Sequence, residues 1–297
     1  MRERATTFGP DRGLVGILCE PTPAPDDTTP IVLILNSGIV HHVGVSRLHT
    51  RLARRLTVLG FSSLRFDFSG VGDSMPSAET LSIGDALIRD LLAAASHAQS
   101  RGPRPIVVFG LCSGGRDALE LAVRDPNVVG TLAIDLMSDF KTLGHHVVHF
   151  GPRLLRWTSW KNTLFSKSSR LRRAGHALSG IESDSPEAWP ATGPRSRLTR
   201  TGLREMLTTL LTRDVRMLFV FSNGLDENYN HAGQFAAALP RVAADSRVSE
   251  RFFKNADHTF SDPTEQARLI DTCVDWMTSN FGSAYTAATS SSGAVEG

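Results

Sequence analysis

The chain has 297 residues, 41% of them apolar and 21% charged, with 25 glycines and 15 prolines. This composition excludes a disordered chain, a collagen and a coiled coil, and the length suits one large α/β domain with an insertion or two average domains. Thirty-two basic against 30 acidic side chains leave a formal charge of +2, which makes no global electrostatic case for a nucleic-acid partner.

Met1 to Thr7 is followed by no apolar h-region, so no signal peptide is expected. Residues 14–19 read as a strand, closed by the proline-rich segment Pro21 to Pro30. Ile31 to Leu35 is a continuous apolar run, the pattern of a strand covered on both faces. Leu48, Leu52, Leu56 and Leu59 recur at helical spacing over 46–59, and Gly60 stops that helix. Phe61 to Phe66 is a strand, and 82–99 a helix with Ile83, Leu87, Leu91 and Leu92 on one side. Ile106 to Phe109 is a buried strand that runs into Gly110-Leu-Cys-Ser-Gly-Gly115 and a helix to about Val123. Val128–Ile134, Met217–Phe221 and Val248–Phe253 complete the strands, and a helix over roughly 264–279 closes the domain. Strand–helix alternation predicts a mostly parallel sheet with helices on both faces. The chemistry then belongs just after the carboxyl ends of the strands.

Residues 138–213 break this rhythm. They hold 13 Lys/Arg and five Asp/Glu, a formal +8, together with Trp157, Trp160 and Trp189. The stretch reads as a helical cap inserted into a core made of 1–137 and 214–282. Ser283 to Gly297 is small and polar and reads as a disordered tail. Cys19, Cys112 and Cys273 are too few and too far apart for a disulfide scaffold or a zinc cluster. With no apolar run of about 18 residues, a soluble cytoplasmic protein is expected.

The sharpest signal is Gly110 to Gly115. A nucleophile on a tight strand-to-helix turn needs small residues two positions either side, because the two backbones pass close together. Gly110 and Gly114 flank Cys112 at those offsets, whereas Ser113 would have Leu111. Cys112 is therefore the candidate nucleophile, and the Ser113 N–H, at a helix N-terminus, one oxyanion donor. His258, in Asn255-Ala-Asp-His-Thr-Phe260 after the last strand, is the candidate base. Asp226, after the fifth buried strand, is the first choice for the carboxylate that orients it. Asp135, after the fourth, is the rival, and Glu227 a weaker one. The second oxyanion donor is expected in Asn36-Ser-Gly-Ile39, where Gly38 lets the backbone aim the Ile39 N–H into the site. Gly38, His41, Trp157 and Trp160 are candidate substrate contacts. His41 and His42 read as pocket or surface residues rather than metal ligands, and no acidic residue completes a zinc set around His145, His146 and His149. Phe66 to Ser74, with Gly70 and Gly72, reads as a tight loop pinned by Asp73 and Ser74 rather than a phosphate cradle. Neither metal nor cofactor is expected.

Four segments together resemble the α/β-hydrolase superfamily: Asn36 to Ile39, Arg65 to Ser74, Gly110 to Gly115, and Asp257-His-Thr-Phe260. Within it the chain is similar to bacterial serine-aminopeptidase-like hydrolases, including the exosortase-associated ones, some of which also carry Gly-Leu-Cys. The resemblance implies an eight-stranded sheet, a helical cap after the sixth strand, and a nucleophile–acid–histidine triad. Two departures stand out. The usual His-Gly of the oxyanion strand is Ser37-Gly38, and the usual serine is Cys112. Dienelactone hydrolases and some thioesterases share that cysteine.

A thiolate needs less from its base than a hydroxyl, and its acyl-enzyme is itself a thioester. Thioester or activated-lactone substrates follow, with acyl transfer as open as hydrolysis. The basic insertion suits an acyl carrier protein, a phosphopantetheine arm or an anionic membrane surface. The competing reading is a catalytically inactive member of the fold that works as a binding scaffold.

Overall fold

The computed structural model describes residues 1–100, 102–142, 144–145, 198–225 and 229–282. The tail and most of the basic insertion, with Trp157, Trp160, His146 and His149, lie outside the described residues, as do Asp226 and Glu227.

The unbroken apolar runs are strands with a helical layer on each face. The described residues form eight strands: β1 (Arg2–Phe8), β2 (Leu14–Glu20), β3 (Ile31–Ile34), β4 (Ser62–Phe66), β5 (Ile106–Leu111), β6 (Val128–Ile134), β7 (Arg216–Ser222) and β8 (Val248–Phe253). They form one sheet in the order β1-β2-β4-β3-β5-β6-β7-β8. β2 runs antiparallel to β1 and β4, and every pair from β4 to β8 is parallel. The described helices are α1 (Leu48–Val58), α2 (Ile83–Ala98), α3 (Ser113–Arg124), α4 (Arg200–Thr212), α5 (Gln234–Ala238), α6 (Pro240–Ala243) and α7 (Pro263–Phe281).

Side chains alternate across each strand, and the core divides accordingly. Ile31 and Leu33 of β3, Ile106 and Val108 of β5, and Met217 and Phe219 of β7 pack with α2, α3 and α4. Val32, Ile34, Val107, Phe109, Leu218 and Val220 face α1 and α7. α4 falls inside the interval assigned to the insertion, yet it packs as a covering helix. Leu203, Leu207 and Leu210 are fully buried in the first of these clusters. These residues therefore belong to the core although the sequence reading places them in the insertion, and Leu198 forms a bridge with Ser138.

β1 has no counterpart in the sequence reading. It is an edge strand in which only Phe8 is buried, so no alternation of apolar residues marks it. Its polar face is anchored by Glu3, bonded to Arg54 (2.7 Å) and near Arg65 (3.3 Å). Charged residues on such an edge also discourage pairing with another chain. Because β3 to β8 run in one direction, the segments that follow them gather along one rim of the sheet.

Candidate active site

β5 turns directly into α3 at Cys112, whose backbone is at φ 60°, ψ −119°. A side chain there carries strain on the order of 1–3 kcal/mol, held by the Cys112 N–H bonded to the Ile134 carbonyl (2.8 Å) and the Gly115 N–H bonded to the Cys112 carbonyl (3.1 Å). The flanking glycines are sterically required. A Cβ on Gly110 would stand 1.9 Å from the Gly114 carbonyl oxygen, and one on Gly114 would stand 2.6 Å from that of Asn36. The turn leaves the thiol half-buried at the N-terminus of α3.

His258 lies on the loop between β8 and α7. The loop is braced by Asp257, whose carboxylate accepts from the Thr259 N–H (2.7 Å) and hydroxyl (2.8 Å). Burial pushes the Asp257 carboxyl up, but these bonds and those from Ser261 hold it at about 2. His258 Nδ1 is 3.1 Å from Asp135 Oδ2. Burial lowers the pKa of His258, yet its hydrogen bonds to Asp135 and to Cys112, with the charges of both, carry it up to about 10. The imidazole thus joins the thiol to a carboxylate, with Nδ1 on the acid and Nε2 left for the sulfur. That acid is the rival candidate from the fourth buried strand. Asp226, the first choice, lies outside the described residues, so the site is built here with Asp135.

Asp135 is suited to the task. It is buried, follows β6 directly at φ 47°, and accepts from the Ser222 N–H at the end of β7 (2.6 Å) and from the Ser222 hydroxyl. The Ser222 hydroxyl oxygen in turn accepts the Gly224 N–H (3.1 Å). Gly224 has no room for a side chain: a Cβ would stand 2.0 Å from the His258 backbone nitrogen. The β7 loop therefore fixes the acid by hydrogen bonds and the histidine by contact. Sequence reasoning passed over Ser222 and Gly224; the only signal was their place at a strand's carboxyl end.

The oxyanion strand arrives alongside. Gly38, at φ 60°, gives its N–H to Ser113 Oγ (2.8 Å), and the Val40 N–H closes a turn on the Ser37 carbonyl (3.1 Å). This pins the turn carrying Ile39 to the first residue of α3. Behind it, Asp67 is fully buried and accepts from Asn36 Nδ2 (2.8 Å), the His42 N–H (2.6 Å), His42 Nδ1 (2.7 Å) and the Asp73 N–H (3.1 Å). Burial opposes ionisation, but these donors hold the Asp67 carboxyl below its ordinary value. His41 Nε2 lies 3.1 Å from Asp73 and 3.5 Å from Asp67. The four side chains bring donor atoms within 4.8 Å of one another, a spacing that a metal ion could bridge. The Val43 N–H, however, points at His41 Nδ1 (3.3 Å), which puts the ring proton on Nε2, facing the carboxylates. A ligating histidine has the opposite arrangement. The network braces the oxyanion turn. Ser74 does pin its loop, as expected: its hydroxyl donates to the Asp67 carbonyl (2.6 Å) and accepts from the Val15 N–H (2.8 Å).

Residues 31–269 match the Alpha/beta hydrolase family. The chain belongs to that family. Solved structures of similar fold include the esterase domain of a Rhodothermus marinus protein, at 21% identity and TM-score 0.54, covering 93% of this chain and 98% of that one. A Pyrococcus furiosus esterase is 14% identical with TM-score 0.55 over 95% and 92% of the two chains. A thioesterase domain from the curacin biosynthetic pathway is 14% identical with TM-score 0.53 over 93% and 99%. At such identities the likeness of this α/β hydrolase to them is one of fold. No curated protein sequence matches the chain. Among the described residues no helix is long and apolar enough to cross a membrane.

Proposed function

We propose that the protein is a cofactor-independent hydrolase or acyltransferase acting on an ester or thioester through an acyl-Cys112 intermediate. The observation that carries this reading is the chain Cys112–His258–Asp135 beside a strained turn. The Cys112 thiolate attacks the acyl carbonyl, and the tetrahedral oxyanion is received by the N–H groups of Ser113 and Ile39. As the carbon–leaving-group bond breaks, imidazolium His258 gives its Nε2 proton to the departing thiolate or alkoxide. His258 then takes a proton from water, or from an amine or alcohol, as that group attacks the acyl-thioester and frees Cys112. Asp135 keeps Nδ1 protonated throughout. Because the intermediate is a thioester, a thioester donor loads it in a near-balanced exchange, and transfer to an oxygen or nitrogen acceptor is downhill.

The test is intact-mass spectrometry after incubation with a panel of acyl thioesters and activated esters. An acyl adduct on Cys112 that disappears in His258→Ala supports the reading. Absence of any adduct across the accessible pH range favours the inactive scaffold. The +8 interval from 138 to 213 extends the proposal to substrates carried on an anionic arm or acidic carrier protein. Such binding weakens steeply with ionic strength, and salt-insensitive binding counts against it.

A further inference from the structure

Sγ of Cys112 makes one contact that the proposed chemistry does not use. Met137 Sδ lies 3.8 Å away. Met137 is two residues beyond Asp135, on a segment fixed at both ends: Asp135 is held by Ser222 and by its N–H to the Val220 carbonyl (2.7 Å), and Ser138 donates to the Leu198 carbonyl (2.9 Å). Met137 is 37% exposed. On the oxyanion side, Ile39 is 83% exposed, one residue from the Gly38 N–H that is bonded to Ser113. Large apolar side chains left in water at a reactive centre mark a contact for something apolar.

We propose that Met137 is the specificity-determining residue for the acyl group, and that the substrate class is an unbranched apolar acyl chain. The inference rests on the acyl-Cys112 reading above. Any acyl carbon bonded to Sγ leaves the sulfur within reach of the Met137 thioether, so the first carbons of the chain lie against it. Methionine is unbranched and polarizable and adapts to a linear chain. A carboxylate or hydroxyl on those carbons would lose water against the thioether and Ile39 with no hydrogen bond in return. A branch next to the carbonyl would meet the thioether at van der Waals distance. The contact also explains an otherwise costly arrangement, in which a flexible apolar side chain is kept half in solvent directly over the nucleophile.

The experiment follows Cys112 acylation by intact mass under single-turnover conditions, with N-acetylcysteamine thioesters of hexanoate, 2-methylhexanoate and succinate. Wild type is expected to take hexanoyl about 10-fold faster than either of the others, the scale set by one or two groups in an apolar contact. Met137→Ala is expected to raise 2-methylhexanoyl about 10-fold relative to hexanoyl. Met137→Leu, which keeps the volume and apolarity, retains discrimination against succinyl. If Met137→Ala changes all three rates by one factor, or if wild type takes succinyl as readily as hexanoyl, the assignment of Met137 is overturned while the acyl-cysteine reading stands. If none of the three acylates wild-type Cys112, the acyl-cysteine reading itself fails.

Discussion

Replacing Asp135 with asparagine separates the mechanism from its nearest alternative. The carboxylate accepts the Ser222 N–H and hydroxyl and faces His258 Nδ1. In Asp135→Asn the amide oxygen must stay on the Ser222 N–H, because a donor there would be buried against another donor. The NH2 group then faces His258, whose Nδ1 must become an acceptor. The ring proton moves to Nε2, and the imidazole is in the wrong tautomer to take a proton from the thiol. The interval from an ordinary imidazole to about 10 corresponds to about 5 kcal/mol of preference for the imidazolium. Asp135 and Cys112 both contribute to it, so loss of the Asp135 carboxylate is expected to lower the population of the reactive pair. The assay is the rate of Cys112 alkylation by iodoacetamide between pH 5 and 10, with acyl-thioester turnover alongside. The wild-type profile is the reference, with His258 held as imidazolium beside the sulfur. In Asp135→Asn the profile should move to higher pH and turnover should fall about 10²-fold or more. Asp226→Asn is the companion variant. An unchanged profile in Asp135→Asn, with loss of turnover in Asp226→Asn, would refute the assignment of the acid.

Three further outcomes follow from the same geometry. Gly224→Ala places a methyl 2.0 Å from the His258 backbone nitrogen; kcat should drop about 10²-fold by displacement of the histidine, with a far smaller change in melting temperature than a core truncation gives. Cys112→Gly removes a side chain from φ 60°. Relief of about 1–3 kcal/mol of strain, less about 0.5–1 kcal/mol for glycine's added chain entropy, should leave the variant more stable by about 1 kcal/mol in urea titrations, and inactive. For pH dependence, the folded His258 value lies above the unfolded one of about 6.5, so its contribution to stability is fully present below pH 6.5 and is lost as pH rises through about 10. The difference in urea midpoint between wild type and His258→Gln should therefore shrink across that window; a constant difference would contradict the ion pair.

Much of this was legible in the residues because the same physics acts at both levels. Ile31 to Leu35 and Ile106 to Phe109 are apolar at every position, and only a strand covered on both faces needs that. The spacing of Gly110, Cys112 and Gly114 identified the turn because the clash it avoids is local, between a strand and the helix that follows it. Edge strand β1 was not legible, since an exposed polar strand obeys no hydrophobic period. The contact between His258 and Asp135 was not legible either: Asp135 and Asp226 both follow strands in the sequence, and what holds Asp135 in reach of the ring is Ser222 of the neighbouring strand, a relation of sheet order rather than sequence distance. Met137 escaped for the same reason: its role comes from a contact with a residue 25 positions earlier.

The distribution of backbone strain bears on the choice between an enzyme and an inert scaffold. Eight described residues other than glycine have positive φ, and three of them are Cys112, Asp135 and Phe260. Two are members of the proposed catalytic chain, and the third is fully buried two residues after its histidine. Each adopts a conformation that costs on the order of 1–3 kcal/mol, against a total stability of only about 5–15 kcal/mol for a typical domain. Glycine at position 112 would relieve the strain at no cost in core packing, so a binding module has no reason to keep a side chain there, whereas Asp135 and Phe260 are buried and keep contacts that glycine would lose. Here strain is retained where a thiol must stand clear of its strand, where a carboxylate must turn toward a ring nitrogen, and where a loop must double back to deliver that ring. The other five positive-φ residues, Asp11, Arg12, Ser46, Arg47 and Asp214, lie in other loops, so what separates the two readings is Cys112, where the strained residue is the proposed nucleophile itself. A strained thiol at that turn favours the acyl-cysteine reading over a scaffold that merely inherited the fold.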